Sequence, residues 1–598
     1  MKTVPRYGRI ELPASSGCAE ARLVTPSGRV ETALTFDYLP TRLVYDAHGY
    51  ESDEVCGPVS RRFRYTPEET GVYRYEAGEE QGEFECVPSS HPGYVRVSEK
   101  DPRYFATTDG HCFVPVGLNT CILRYDALPA GSEHFATGSQ EACTGMISYR
   151  RWLRNLSENG GNYIRLWLST PYFQARTELP GVHDLRVFNR LDAVMDLARA
   201  YGLRVKLCFD HFRSFRDIGP IFTRRLVDPD TGRQMTDLDE WLTSPRWNAR
   251  YLEDIRPYVA RYQNDPAVFA WEMWNEMPCI AAKAEHVDEF AVRIMEQVRR
   301  WSPRNMMCNS LGSFDNAISL DRMKAYRDTP TYDFGTVHRY LDQGAKLELC
   351  RTDPAELAAD AIACLRSADK PMVLNETGAV NDCHTGPFRF YCCDHDGLIF
   401  HDVTYAPFFA GAAASGHIWH WEYYVDPQNL WKHFRPFAQM LEGIEADEER
   451  FVPQTCHTEQ VLVFALKGER HTLLYVRNRV DRWDHVLRDG VETAPLKGVS
   501  LPFDGTSVRT WWLMNEQHDP ASLSGGRVVL PAFTHGCVLR LSHGPRRRAF
   551  PKERTHRPDC LPGGRGLAAF VPPRYRLCGF QAFSCSGNIA RIMVHTDA

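Results

Sequence analysis

The stretch Val268-Phe-Ala-Trp-Glu-Met-Trp-Asn-Glu-Met-Pro278 is an apolar run that ends abruptly in Asn275-Glu276. Its length and its aromatic content predict a buried strand that delivers an amide and a carboxylate to its C-terminal edge. About one hundred positions later Pro371-Met-Val-Leu-Asn-Glu-Thr-Gly378 repeats the pattern with Asn375-Glu376. Two strands that each end in Asn-Glu, with room between them for three strand–helix units, suit a (β/α)8 barrel. The two carboxylates would meet at the mouth of such a barrel.

Working outward, the same rhythm holds from about residue 101 to 448. Predicted strands are Phe113–Gly117, Tyr163–Leu168, Arg204–Phe209, the Glu276 run, Asn305–Asn309, Phe334–His338, the Glu376 run and His417–Trp421. Helical patterns separate them. In the clearest, Val287, Phe290, Ala291, Ile294, Met295, Val298 and Trp301 form one apolar stripe. Asp353-Pro354 with Glu356 reads as a capped helix start, and Tyr405–Ser415 as a helix rich in Phe and Ala. Strands alternating with helices imply parallel packing, because a crossover helix returns the chain to the same edge.

The flanks read differently. Residues 1–100 are short alternating runs between Gly, Pro and Ser turns, predicting an immunoglobulin-like β-sandwich. Within them Glu69-Thr-Gly-Val-Tyr73 has the form of a corner in which a Tyr hydroxyl bonds back to the main chain. Residues 449–545 again read as all-β, a C-terminal sandwich. Residues 546–598 are basic and rich in Pro and Gly, and predict a poorly ordered tail.

At 598 residues the chain needs several cores. A net charge of −6 gives no reason to expect nucleic acid as partner. No apolar stretch is long enough for a membrane span or an export signal, and the 19 cysteines lack regular spacing. Free thiols in a cytoplasmic setting are expected. Cys392-Cys393 with His384 and His395 is the one metal-like cluster, and no C-x-x-C spacing supports it. A metal-dependent barrel would draw on Asp210, His211 and His338, but the usual His pair on the first strand is missing. No metal and no other cofactor is expected.

The barrel resembles the retaining β-glycosidases of glycoside hydrolase clan A, nearest to family 5. Trp271-Glu-Met-Trp-Asn-Glu276 resembles the clan's fourth-strand acid/base motif. Leu374-Asn-Glu-Thr-Gly378 resembles its seventh-strand nucleophile motif, and His338-Arg-Tyr340 its sixth-strand His-x-Tyr. Asp396–Asp402 and the Gly411–Trp421 run resemble cellulase-like members that carry a sandwich before the barrel. Met277 departs from the pattern, since family 5 usually has Pro directly after the acid/base Glu.

The resemblance implies Glu276 as acid/base, Glu376 as nucleophile and Asn275 as a contact to the sugar 2-hydroxyl. Arg165 and Tyr340 are candidates to keep Glu376 ionised, Arg165 competing for that role with pairing to Glu272, a carboxylate read as structural. His211 and His338 are candidate substrate contacts, each also readable as a packed barrel histidine. Either Trp419 or Trp421 should form the floor on which a sugar stacks, and strand parity places both on one face. The expected activity is hydrolysis of β-mannan- or β-glucan-type saccharides; the alternative is a carbohydrate-binding barrel that no longer turns over. The sandwiches are open to a glycan-binding, bracing or homo-oligomer-forming role.

Overall fold

The computed structural model describes residues 1–47, 51–122, 145–170, 172–177, 179, 181–211, 228, 230–233, 235–280, 282–313, 319–382, 384 and 386–544. The tail expected at 546–598 lies outside the described residues. Residues Met1–Arg547 form one compact unit. No helix among the described residues is long and apolar enough to cross a membrane.

The centre of that unit is a closed ring of parallel strands. Gly117–Asn119, Tyr163–Trp167, Arg204–His211, Val268–Asn275 and Met306–Cys308 pair in sequence order, and Gly335–Leu341 pairs with Met372–Ala379. Single parallel bridges complete the ring: Ser313 to His338, Thr377 to Ile418, and Leu118 to Ile418. This is the eight-position barrel, with helices on the outside. Every residue of the second, fourth, sixth and seventh strands is buried. That explains why they read as continuous apolar runs rather than alternating ones.

Three expectations shift. The first barrel strand begins at Gly117, not Phe113; Cys112–Phe113 instead pairs antiparallel with Phe105–Thr107. A Cβ on Gly117 would sit 1.9 Å from the Tyr163 carbonyl oxygen, so only glycine allows the first and second strands to approach there. The helix expected at Tyr405–Ser415 runs from Leu398 to Phe409 and carries His401 and Asp402 into the core. Its twelve residues are all buried, so no polar face marks its start. The eighth strand is reduced to the bridge at Ile418, because His420 takes a left-handed φ of 61° and Trp421–Val425 turns into a π-helix.

Before the barrel, Val30–Tyr38 pairs first with Glu20–Val24 and then with Ser60–Tyr65, passing between two sets of strands around Phe63, Tyr65, Tyr73 and Phe84. The Tyr73 hydroxyl accepts the Glu69 N–H at 2.9 Å, the corner anticipated from sequence. This region is tied to the barrel through charge: Arg64 and Arg261 both bind Asp192, and the Gln263 amide pairs with both backbone groups of Leu34. After the barrel, a five-stranded antiparallel sheet contains Val461–Lys467 and His471–Asn478, and a three-stranded sheet lies beside it. Tyr475 and Arg477 of the larger sheet bind Asp402 at 2.7 and 2.6 Å, and Arg477 also binds Asp353, the N-cap of Pro354–Leu365.

Candidate active site

The Asn-Glu strand ends meet at the C-terminal edge of the ring. The fourth strand stops at Asn275, and Glu276 turns out of it with a left-handed φ of 54°. The turn is accommodated by Gly312, whose own φ is 90° and whose Cβ position lies 3.1 Å from the Glu276 side chain. Glu376 stays within the seventh strand, opposite His338 of the sixth.

Arg165 binds both carboxylates offered to it. Its Nε and Nη2 each donate to Glu272 at 2.7 Å, Nη2 also to Asn275 Oδ1 at 2.5 Å, and Nη1 to Glu376 Oε1 and to Asn119 Oδ1. Contact with Glu272 and contact with Glu376 are therefore compatible in Arg165. Tyr340 donates its hydroxyl to the other Glu376 oxygen at 2.6 Å. Glu272 lies one layer deeper, fully buried, with Lys206 Nζ 3.2 Å away. Burial alone would raise its pKa, but the charges of Arg165 and Lys206 bring it down to about 2.

Glu276 faces His338, whose Nδ1 lies 2.7 Å from Glu276 Oε1 and 3.3 Å from Glu376 Oε2. Burial lowers the His338 pKa to about 4 against the pull of Glu376, so the ring is neutral at pH 7. Ligand atoms of Glu276, Glu376 and His338 lie within 4.8 Å of one another. They could in principle hold a cation. However, the guanidinium on Glu376 Oε1 and the imidazole on Glu276 Oε1 already engage the donor atoms, and a fixed positive charge opposes a second one.

Aromatic rings wall one side. Trp167 stacks on His211 with centroids 5.0 Å apart and 4° between planes, and packs against Trp419 at 4.8 Å with the rings tilted by 36°. His211 is held by Ser169 Oγ at 2.6 Å. Trp419 is half-buried and keeps accessible surface. Trp421 does not share this position: it is wholly buried, edge-on to Trp152 and Trp419. The left-handed His420 between the two breaks the alternation that had placed them on one face. Trp421 is thus excluded as a stacking floor.

The sequence reading missed Lys206, Asn119 and Ser310. Lys206 had a usable signal, a charged residue between the apolar Val205 and Leu207 in the interior of a strand. Asn119 and Ser310 had none, being short polar residues near strand ends like many others.

The family model for cellulase (glycosyl hydrolase family 5) matches residues 131–396. Mannan endo-1,4-beta-mannosidase A of Podospora anserina is 28% identical over 311 residues, covering 50% of this chain and 78% of that protein. Mannan endo-1,4-beta-mannosidase 1 of Oryza sativa subsp. japonica is 26% identical over 307 residues, covering 45% of this chain and 66% of that protein. Mannan endo-1,4-beta-mannosidase F of Aspergillus clavatus is 23% identical over 262 residues, covering 39% and 56%. The chain spans about half the length of several such relatives. A crystal structure from Bacteroides vulgatus shares the fold with a TM-score of 0.50 at 16% identity, covering 91% of this chain and 100% of that one. Residues 131–396, which include both Asn-Glu strand ends at the barrel mouth, are thus similar to glycosyl hydrolase family 5, in clan A of the glycoside hydrolases.

Proposed function

We propose that this protein is a retaining β-glycoside hydrolase acting on β-mannan-type saccharides, with Glu376 as nucleophile and Glu276 as acid/base. The observation that carries the reading is the approach of the two carboxylates, whose oxygens lie within 4.8 Å across the barrel mouth. Retention needs a separation of about 5–5.5 Å between the carboxyl groups, whereas inversion needs room for a water between them.

The surroundings divide the labour. Glu376 receives Arg165 on one oxygen and Tyr340 on the other, a setting that compensates a negative charge. Glu276 is buried next to Glu376, with the neutral His338 ring on its Oε1, and we assign it the proton-donating role. In the first step a Glu376 oxygen bonds to the anomeric carbon as the glycosidic bond breaks. Glu276 gives its proton to the departing oxygen. In the second step Glu276 takes a proton from water, whose oxygen attacks the same carbon and releases Glu376.

Asn275, oriented by Arg165, is placed to bind the sugar 2-hydroxyl, and Trp419 with Trp167 and His211 to wall the sugar ring. The mannan preference rests on the relatives being mannan endo-1,4-beta-mannosidases. The flanking β regions we read as sandwich domains that brace the barrel. The test pairs wild type and Glu376→Ala with β-mannosides, β-glucosides, β-xylosides and β-galactosides and their oligosaccharides. Wild type should cleave the mannosides, the variant should lose this, and azide should restore part of it with an α-azide product. Tight binding of one sugar without turnover would overturn the reading in favour of a binding protein.

A further inference from the structure

Lys206 is fully buried in the third strand, points into the barrel, and does not touch either carboxylate at the mouth. Its Nζ donates to Asn375 Oδ1 and lies 3.2 Å from Glu272. An ammonium has only protons to offer, so the Asn375 amide must turn its oxygen to Lys206. Its Nδ2 then faces His338 Nε2 at 3.1 Å, and an amide nitrogen can only donate. Nε2 must therefore be the acceptor nitrogen. The ring's single proton is left on Nδ1, 2.7 Å from Glu276 Oε1. Ser310 Oγ, 3.0 Å from Nε2, can serve as a second donor.

We infer that Lys206 is a positioning residue: through the Asn375 amide it locks His338 in the Nδ1–H tautomer, so that His338 donates to Glu276 Oε1 and leaves the transferable proton to Oε2. The tautomer follows from the hydrogen bonds alone; its catalytic meaning rests on Glu276 being the acid/base. As Glu276 releases its proton, negative charge grows on a carboxylate that already faces a fixed donor, and that donor need not reorient. With the opposite tautomer, the Nδ1 lone pair would hold the Glu276 proton and withhold it from the leaving group.

Every charged neighbour of His338 enters the test. Glu272 faces it from the fourth strand and Glu276 from the turn just after that strand, Glu376 from the seventh, Lys206 from the third and Arg165 from the second; Tyr340 lies on its own strand. His417 of the eighth position is held neutral by burial. Lys206→Met removes the charge that orients the amide. Asn375→Asp keeps Lys206 and the shape but replaces the donor to Nε2 by an acceptor.

The experiment is nitrogen-15 NMR of histidine-labelled full-length protein, with His338→Asn to identify the signal and kinetics alongside. In wild type Nε2 should resonate as an unprotonated nitrogen and Nδ1 as a protonated one. In Asn375→Asp the Nε2 signal should move to the protonated range, and in Lys206→Met toward it. For Lys206→Met, kcat/KM should fall about 100-fold. The basic limb of its pH profile should move to higher pH, because a positive charge and a fixed donor near Glu276 are both lost. A purely structural role would lower the rate with the limb unmoved. A protonated Nε2 in wild type, or unchanged nitrogen signals in both variants, overturns the inference. If the signals behave as expected but Glu276→Gln hydrolyses like wild type, the lock stands and the acid/base reading fails.

Discussion

Trp419 and Trp421 show how a single backbone angle decides a residue's use. Both belong to one apolar run, and alternation treats them alike. The left-handed His420 separates them: Trp419 stays at the wall beside Trp167, and Trp421 goes into the core against Trp152. Their truncations should therefore part company. Trp419→Ala should raise KM several-fold, the loss of a stacking contact of about 1 kcal/mol, with the melting temperature little changed. Trp421→Ala should cost about 3–5 kcal/mol of stability and leave KM of the folded fraction near wild type. Michaelis kinetics and denaturant unfolding of both variants check this; a KM effect on Trp421→Ala without destabilisation would contradict the packing. Glu276 makes the same point. Strand parity alone would put it on the same face as Glu272, yet its left-handed turn sends it to the mouth while Glu272 stays below with Arg165. Gly312→Ala should crowd that turn, lowering kcat about tenfold or more through misplacement of the carboxylate, with circular dichroism unchanged.

At the level of elements, what was legible followed from burial. Strands covered on both faces become unbroken apolar runs, so the fourth and seventh strands and their Asn-Glu ends could be read directly. What was hidden depends on contacts across the ring. The chain Lys206, Asn375, His338, Glu276 joins four strands, and no local spacing encodes it. The helix Leu398–Phe409 was misplaced for a related reason: the C-terminal sheet covers its outer side, so it has no amphipathic stripe to find. That cover is pinned by Arg477, which lies between Asp402 of this helix and Asp353 at the start of Pro354–Leu365. Removing it strands two buried carboxylates. Arg477→Met should destabilise by about 3–5 kcal/mol, and Arg477→Met with Asp402→Asn and Asp353→Asn should recover part of the loss. Chemical denaturation of the three proteins tests this; a triple variant weaker than the single one would show that the cluster does not act as a pair-compensated unit.

For the molecule as a whole, the acid limit of stability should be set first by histidines. Burial lowers His338 and His433 to about 4, and holds His401 and His417 well below their usual value. A histidine whose folded pKa lies below its unfolded one binds fewer protons in the folded state between the two values. The stabilising contribution of such a ring is complete above about pH 6.5 and is lost as the pH falls; for His338 and His433 the loss runs to about pH 4 and amounts to about 3 kcal/mol each. Glu272 acts lower: held down to about 2, it supports the fold above about pH 4.5 and loses that support as the pH falls to 2. His433 is the residue on which to test this, because it packs edge-on to His401 with ring centroids 4.7 Å apart and its carbonyl accepts the Tyr405 hydroxyl. His433→Asn should start with a lower melting temperature at pH 7, since its ring fills a buried site. Between pH 6.5 and 4 its melting temperature should fall less steeply than that of wild type, so that the two curves converge. Below pH 4, where the ring is charged in both states, the curves should run parallel. Scanning calorimetry at half-unit pH steps measures this directly, and parallel curves from pH 7 to 4 would show that protonation of His433 is not coupled to unfolding.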